Sequence, residues 1–139
     1  MGIVIPVMNA AASLSRKQMP LLISASVDPA LCIIDCGGSA AEPHRGFLFD
    51  AGEDSLSVVR GFTVTGGEHD FAAGILCYHN DGDLLPGQPL GDGGAPSIVD
   101  CDVTGNTGNG VAAVGDTRGP LLKECRVDGN TGHGAYWAF

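Results

Sequence analysis

The residues best suited to chemistry in this sequence are carboxylates. Asp81, Asp83 and Asp92 lie in a Gly-rich stretch, residues 79–94, with no apolar periodicity. Hard carboxylate oxygens suit Ca²⁺. Asp81 and Asp83 flank one glycine, so both can turn toward a common point, and Asp92 can close from the far end. The stretch lacks the EF-hand spacing, which requires a Glu at position 12. Three carboxylates without a preformed cage predict weak binding, at about 10⁻⁴–10⁻³ M. A solvated insertion that holds no ion is the competing expectation, since glycines are costly to order. Calcium is the only cofactor the sequence suggests.

A second group surrounds His44-Arg45, which stands between Glu42 and Asp50. Histidine there could act as a base, and arginine could clamp a carboxylate. A polar loop ahead of Gly46 explains the same residues without any chemistry. Arg60 has no basic neighbour. No face combines several carboxylates with a basic residue, so no catalytic residue is assigned. The five cysteines, Cys32, Cys36, Cys77, Cys101 and Cys125, form no CxxC motif. Cys32 and Cys36 in an extended strand would be about 13 Å apart, too far for a disulfide or a shared metal. Gly108-Asn-Gly110 could open a dinucleotide fingerprint, but no helical pattern follows it.

Composition narrows the classes further. The net charge of −9 and the scattered Lys and Arg disfavour nucleic acid. No apolar run reaches the 18 or so residues of a membrane span. Hydrophobic residues make up 44%, too many for wholesale disorder. Glycine, at 22 of 139 residues, suggests many tight turns between short strands.

The elements that must position these residues come from a repeat. Pro96-Ser-Ile-Val-Asp-Cys101-Asp-Val-Thr-Gly-Asn-Thr-Gly and Pro120-Leu-Leu-Lys-Glu-Cys125-Arg-Val-Asp-Gly-Asn-Thr-Gly lie 24 positions apart and share Pro, Cys, Val and the Gly-Asn-Thr-Gly block. Weaker copies align Val59-Arg60-Gly61-Phe62 with Val99-Asp100-Cys101-Asp102, and Cys32-Ile33-Ile34-Asp35 with the same stretch. A second series interleaves with these: Gly46-Phe-Leu-Phe49, Gly74-Ile-Leu-Cys77, Gly110-Val-Ala-Ala113 and Gly134-Ala-Tyr-Trp137. Each unit reads strand, Gly/Asn turn, strand, loop, and no unit has room for a helix. Strands that recur at this spacing pair in parallel with their equivalents one turn later, and the crossover rule makes the coil right-handed.

Alternation sets the phase. Cys101 and Val103 face inward with Cys125 and Val127, while Asp100, Asp102, Glu124 and Arg126 face out. Ile98 and Leu122 are out of phase with their cysteines, so a bend or bulge is expected between them. Gly and Asn tolerate the left-handed backbone of a corner. Asn106 and Asn130 are expected to stack there as a hydrogen-bonded amide ladder.

Cys-Ile-Ile-Asp-Cys-Gly-Gly at 32–38, Glu-Pro-His-Arg-Gly-Phe at 42–47 and Val-Val-Arg-Gly-Phe-Thr-Val-Thr-Gly-Gly at 58–67 resemble the opening turns of bacterial right-handed parallel β-helix repeat proteins, the pectin-lyase-like solenoids. The resemblance covers roughly residues 21–137. It implies an all-β, right-handed parallel β-helix of about four to five turns in a secreted or cell-surface protein. Residues 1–20 are expected to form an N-terminal cap or lead-in, with a short capping helix over about Asn9–Gln18. Residues 21–139 are expected to form the solenoid, with 79–94 as an inserted loop of about 12–15 extra residues. The function implied is a non-catalytic scaffold or binding module that contacts polysaccharide or other repeat modules. The alternatives are a fragment of a polysaccharide lyase or glycoside hydrolase, and a self-assembling solenoid that makes homo-oligomers through its open ends.

Overall fold

A computed structural model describes residues 22–24, 28–82, 86–115 and 118–138. The expected N-terminal cap and its helix lie outside these residues. The described chain coils through four turns as a parallel β-helix. The first sheet stacks β1 (Leu22–Ser24), β4 (Val58–Arg60), β8 (Ser97–Val99) and β11 (Leu121–Lys123). The second stacks β2 (Ile33–Asp35), β5 (Thr63–Thr65), β9 (Asp102–Thr104) and β12 (Arg126–Asp128). The third stacks β3 (Phe47–Phe49), β6 (Ile75–Asn80), β10 (Val111–Val114) and β13 (Ala135–Ala138). Every pairing within these stacks is parallel. Helical structure among the described residues is one 3-10 turn, Pro29–Leu31, capped by the Asp28 carboxylate on the Ala30 N–H.

The strands are short because each side of the coil is short. Three residues place one side chain inward, and inward side chains stack into columns. Ile23, Val59, Ile98 and Leu122 form one column and Ile34, Val64, Val103 and Val127 another. Val59, Val64, Ile98 and Val103 are fully enclosed. Burying each such side chain contributes about 1.5–3 kcal/mol.

The bend expected between Ile98 and Cys101 is a single left-handed residue. Asp100 has φ 50°, Glu124 φ 55°, and Gly61 occupies the matching corner with φ 79°. That corner corrects the sequence alignment by one residue: Val59 pairs with Ile98, and Arg60 with Val99. Phe62 thus stands over Cys101, and Cys32 lies on the other side of Phe62. The corner column is Cys32, Phe62, Cys101 and Cys125, and its three cysteines are free thiols.

The second corner belongs to asparagine. The Asn106 Nδ2 donates to the Val64 carbonyl at 3.1 Å, the Thr104 carbonyl at 3.2 Å and Asn130 Oδ1 at 2.9 Å. Its Oδ1 accepts from the Gly67 N–H at 2.9 Å. Asn130 repeats the pattern on the Val103 carbonyl at 2.9 Å. Gly67 stands where the next asparagine would sit, and a Cβ there would come within 2.1 Å of the Ala73 carbonyl oxygen.

Among the described residues, part of the 79–94 insertion is regular strand. Ile75 pairs with Val111, 36 residues on, where Val111 pairs with Ala135 only 24 on. The extra chain turns back as a hairpin, with β7 (Gly91–Asp92) antiparallel to the end of β6. The buried Asn80 amide donates to the Gln88 and Pro89 carbonyls at 3.2 and 3.0 Å.

Two outcomes test this fold. Replacing Asn106 with Leu strands the Gly67 N–H and two carbonyls in the interior, and should cost about 3 kcal/mol in urea unfolding. A change below about 0.5 kcal/mol, the usual scale for surface sites, would show that the ladder is incidental. In the corner column, hydrogen bonding to Cys125 and burial push the Cys101 thiol up, while the hydrogen bond from Cys101 draws Cys125 down to about 7. Cys101 is fully buried and Cys125 only half-buried. A thiol reagent at pH 8 should therefore label Cys125 in the native protein well before Cys101. Equal rates would contradict the inward stack.

Candidate functional site

The two central strands of the third sheet, β6 and β10, are buried on both faces. Inward, Ile75, Cys77, Val111 and Ala113 join the main core. Outward, Leu76, Tyr78, Ala112 and Val114 form a second buried cluster with Ala72. The continuous apolar run Val111-Ala-Ala-Val114 has this double burial as its cause, as in other parallel sheets. A small cavity of about 140 Å³ opens on the outer face, with Arg45, Asp50, Asp70, Phe71, Tyr78 and Leu90 in its wall.

Three pieces of chain bring these groups together. Arg45 immediately precedes Gly46 and β3, and Gly46 is fixed by its N–H to the Gly74 carbonyl at 2.9 Å. His69, Asp70 and Phe71 follow the second corner, where the Glu68 N–H bonds the His44 carbonyl at 2.9 Å. Phe71 takes a left-handed backbone, φ 63°, and its ring lies 6.1 Å from that of Tyr78. The inserted hairpin supplies Gln88, Pro89 and Leu90, held by Asn80.

Arg45 Nη2 makes a close hydrogen bond to His69 Nδ1. A guanidinium can only donate, so Nδ1 is the bare nitrogen and His69 is neutral with its proton on Nε2. Burial lowers the His69 pKa, and the Arg45 charge lowers it further, against the opposing pull of Asp70. Burial also lowers the Arg45 pKa, with Asp70 and Asp50 acting the other way. Arg45 Nη1 and the Tyr78 hydroxyl are both buried without a hydrogen-bond partner among the described residues. Each such group costs about 1–3 kcal/mol while unsatisfied. A polar ligand in the cavity would give both a partner. A neighbouring hollow of about 340 Å³, lined by Ala40, Pro43, Glu68, His69, Asp70 and Thr107, shares the His69–Asp70 edge.

The residues singled out in the sequence fall in several places. Arg45 is in the cavity, while His44 is exposed and bonds the Cys36 carbonyl through Nδ1 at 3.0 Å. Arg60 leaves the first sheet and pairs with Asp100 at 3.0 Å on the surface. Asp92 sits in β7 opposite His79 and lines an open cleft with Glu53 and Asp54. Asp81 follows β6 and is exposed, and Asp83 lies outside the described residues. Among the described residues no three His, Cys, Asp or Glu side chains are arranged to hold a metal, and the calcium expectation rests on Asp83.

His69, Asp70, Phe71 and Tyr78 had no sequence motif to mark them, and Asp50 was marked only as a flank of His44-Arg45. Tyr78 and Asn80 carried the one available signal: polar-capable residues within a strand buried on both faces, Ile75–Asn80. No protein-family model matches the chain, and the searches of curated proteins and of solved structures likewise returned no similar protein.

Proposed function

We propose that this chain is a non-catalytic β-helix binding module that holds one sugar ring of a polysaccharide in the Arg45–Tyr78 cavity, within a secreted or cell-surface protein of pectin-lyase-like type. The observation that carries the reading is the pair of unpartnered buried polar atoms, Arg45 Nη1 and the Tyr78 hydroxyl, in one cavity. A dry cavity of about 150 Å³ accepts a benzene-sized ring, so 140 Å³ suits a single six-membered ring. Sugars present hydroxyls at the ring edge and C–H groups on its faces. Arg45 and the tyrosine hydroxyl can donate to the edge, Asp50 and Asp70 can accept from it, and Phe71 offers an apolar surface. Two carboxylates against one guanidinium favour a neutral sugar over a uronate. The adjoining hollow gives a continuing chain somewhere to run.

A second reading draws support from Asp50 and Asp70 lining one cavity, since a carboxylate pair can hydrolyse a glycosidic bond. Release of reducing ends from a bound polysaccharide, abolished by Asp50→Asn or Asp70→Asn, would establish it. On the binding reading no turnover occurs.

Titration calorimetry against neutral and uronate oligosaccharides tests the proposal. Tyr78→Phe is the most informative variant. It should weaken binding roughly tenfold while leaving the fold equally stable or about 1 kcal/mol more stable, because it removes an unsatisfied hydroxyl. Unchanged affinity would remove the cavity from consideration. Binding should also weaken in acid. The His69 pKa lies below its ordinary 6.5, so protonation occurs below that pH, removes the acceptor for Arg45 and sets two cations side by side. Affinity should be flat above pH 6.5 and fall below it, and His69→Gln should flatten the profile.

A further inference from the structure

On the reading of the Arg45–Tyr78 cavity as a sugar site, we propose that the sugar it takes carries a short acyl or alkyl group, which lies across an apolar mouth made by Leu48, Phe71 and Leu90. The cavity is polar at depth and apolar at its opening. Its buried, unpartnered atoms are Arg45 Nη1 and the Tyr78 hydroxyl. Its exposed apolar side chains are Leu48 at 47%, Phe71 at 37% and Leu90 at 70%. A bare sugar satisfies the depth and leaves the mouth in water. A sugar with an apolar group at its outward edge satisfies both. Asp70 and Gln88 also reach the exposed rim, so the group covers part of the mouth, which limits it to a few carbons.

Single exposed leucines are ordinary on a protein surface, and Leu31 and Leu56 are examples. Convergence sets the three at the cavity apart, because each comes from a different piece of chain and each is held there. Leu48 is the outward residue of β3 and pairs in register with the buried Leu76. Leu90 comes from the inserted hairpin. Next to it, Gly91 lies so near the Tyr78 ring that an added Cβ would come within 2.9 Å of Cδ1, and the Asp92 N–H donates to the Asp50 carbonyl at 2.6 Å. The backbone of Leu90 is thus fixed beside the cavity. Phe71 has the left-handed backbone that a bulky side chain rarely adopts. The Asn109 amide holds it there by donating to the Phe71 carbonyl, while Asn109 Oδ1 accepts from the His133 N–H at 2.8 Å.

The test is titration calorimetry of the 139-residue chain with methyl, butyl and hexyl β-glycosides of glucose, galactose and mannose. The butanoyl ester of each methyl glycoside at its primary hydroxyl separates an acyl group on the ring from an alkyl group at the anomeric carbon. A methylene taken out of water is worth roughly fourfold in affinity. A butyl or butanoyl form should therefore bind roughly tenfold or more tighter than the methyl glycoside of the same sugar. Leu48→Ser and Leu90→Ser should each bring that ratio down toward one. Both side chains are exposed, so both variants should fold, which circular dichroism checks. Methyl glycosides that bind as well as the butyl and butanoyl forms would overturn this proposal and leave the sugar reading of the cavity standing. Failure of every glycoside to bind would overturn both. A gain with chain length that neither serine variant reduces would also overturn the proposal, because the chain would then be binding elsewhere.

Discussion

The second corner must turn a chain whose carbonyls would otherwise face a dry interior, and the Asn106 amide resolves this. One side chain satisfies carbonyls on its own turn and on the turn before, binds the Gly67 N–H and meets the next asparagine. The bonds to Val64, Gly67 and Asn130 run between turns, so the amide fixes the register of three successive turns at once. With register fixed, alternation decides which side chains enter the columns, because a slip of one residue would turn each of them out. The columns of Val64 and Val103, and of Phe62 and Cys101, are consequences of that lock.

The candidate cavity is a departure from the same regularity. The central strands of the third sheet are covered on both faces, and a covered strand has no use for an arginine or a tyrosine hydroxyl. Both are there, at the point where the inserted hairpin crosses the outer face. The Asn80 amide, bonded to the Gln88 and Pro89 carbonyls, ties that hairpin to the strand beneath it. Chain that interrupts the repeat thus creates a boundary between apolar cover and open surface, and the polar groups collect along it. Arg45 and His69 share a proton arrangement that depends on partial burial of both.

The fold was largely legible from the sequence because a solenoid writes its architecture into a repeat. The 24-residue offset of Cys101 and Cys125 is the register of β9 on β12, and Asn106 and Asn130 stack as their spacing implied. The earlier turns were read one residue out. Gly61, Asp100 and Glu124 share a left-handed corner but no side-chain chemistry, so nothing in residue type aligned them. The site was hardly legible. Arg45 was noticed for its neighbours in sequence, Glu42 and Asp50, yet its hydrogen-bond partner is 24 residues away in the next turn. Coiling brings together residues separated by a whole turn, and unless a spacing repeats, such proximity leaves no trace along the chain.

The stacking of parallel turns also bears on how the molecule responds to force. Each turn holds to the next through rows of short bonds in three sheets. Tension along the axis would spread over all three rows together and meet a stiff spring. Tension applied to the chain at its C-terminal strand would instead load one bond at a time. The last turn, with its columns half open, would peel first, and each turn released would expose the next in the same state. The solenoid is thus strong when stretched as a rod and weak when unwound as a thread.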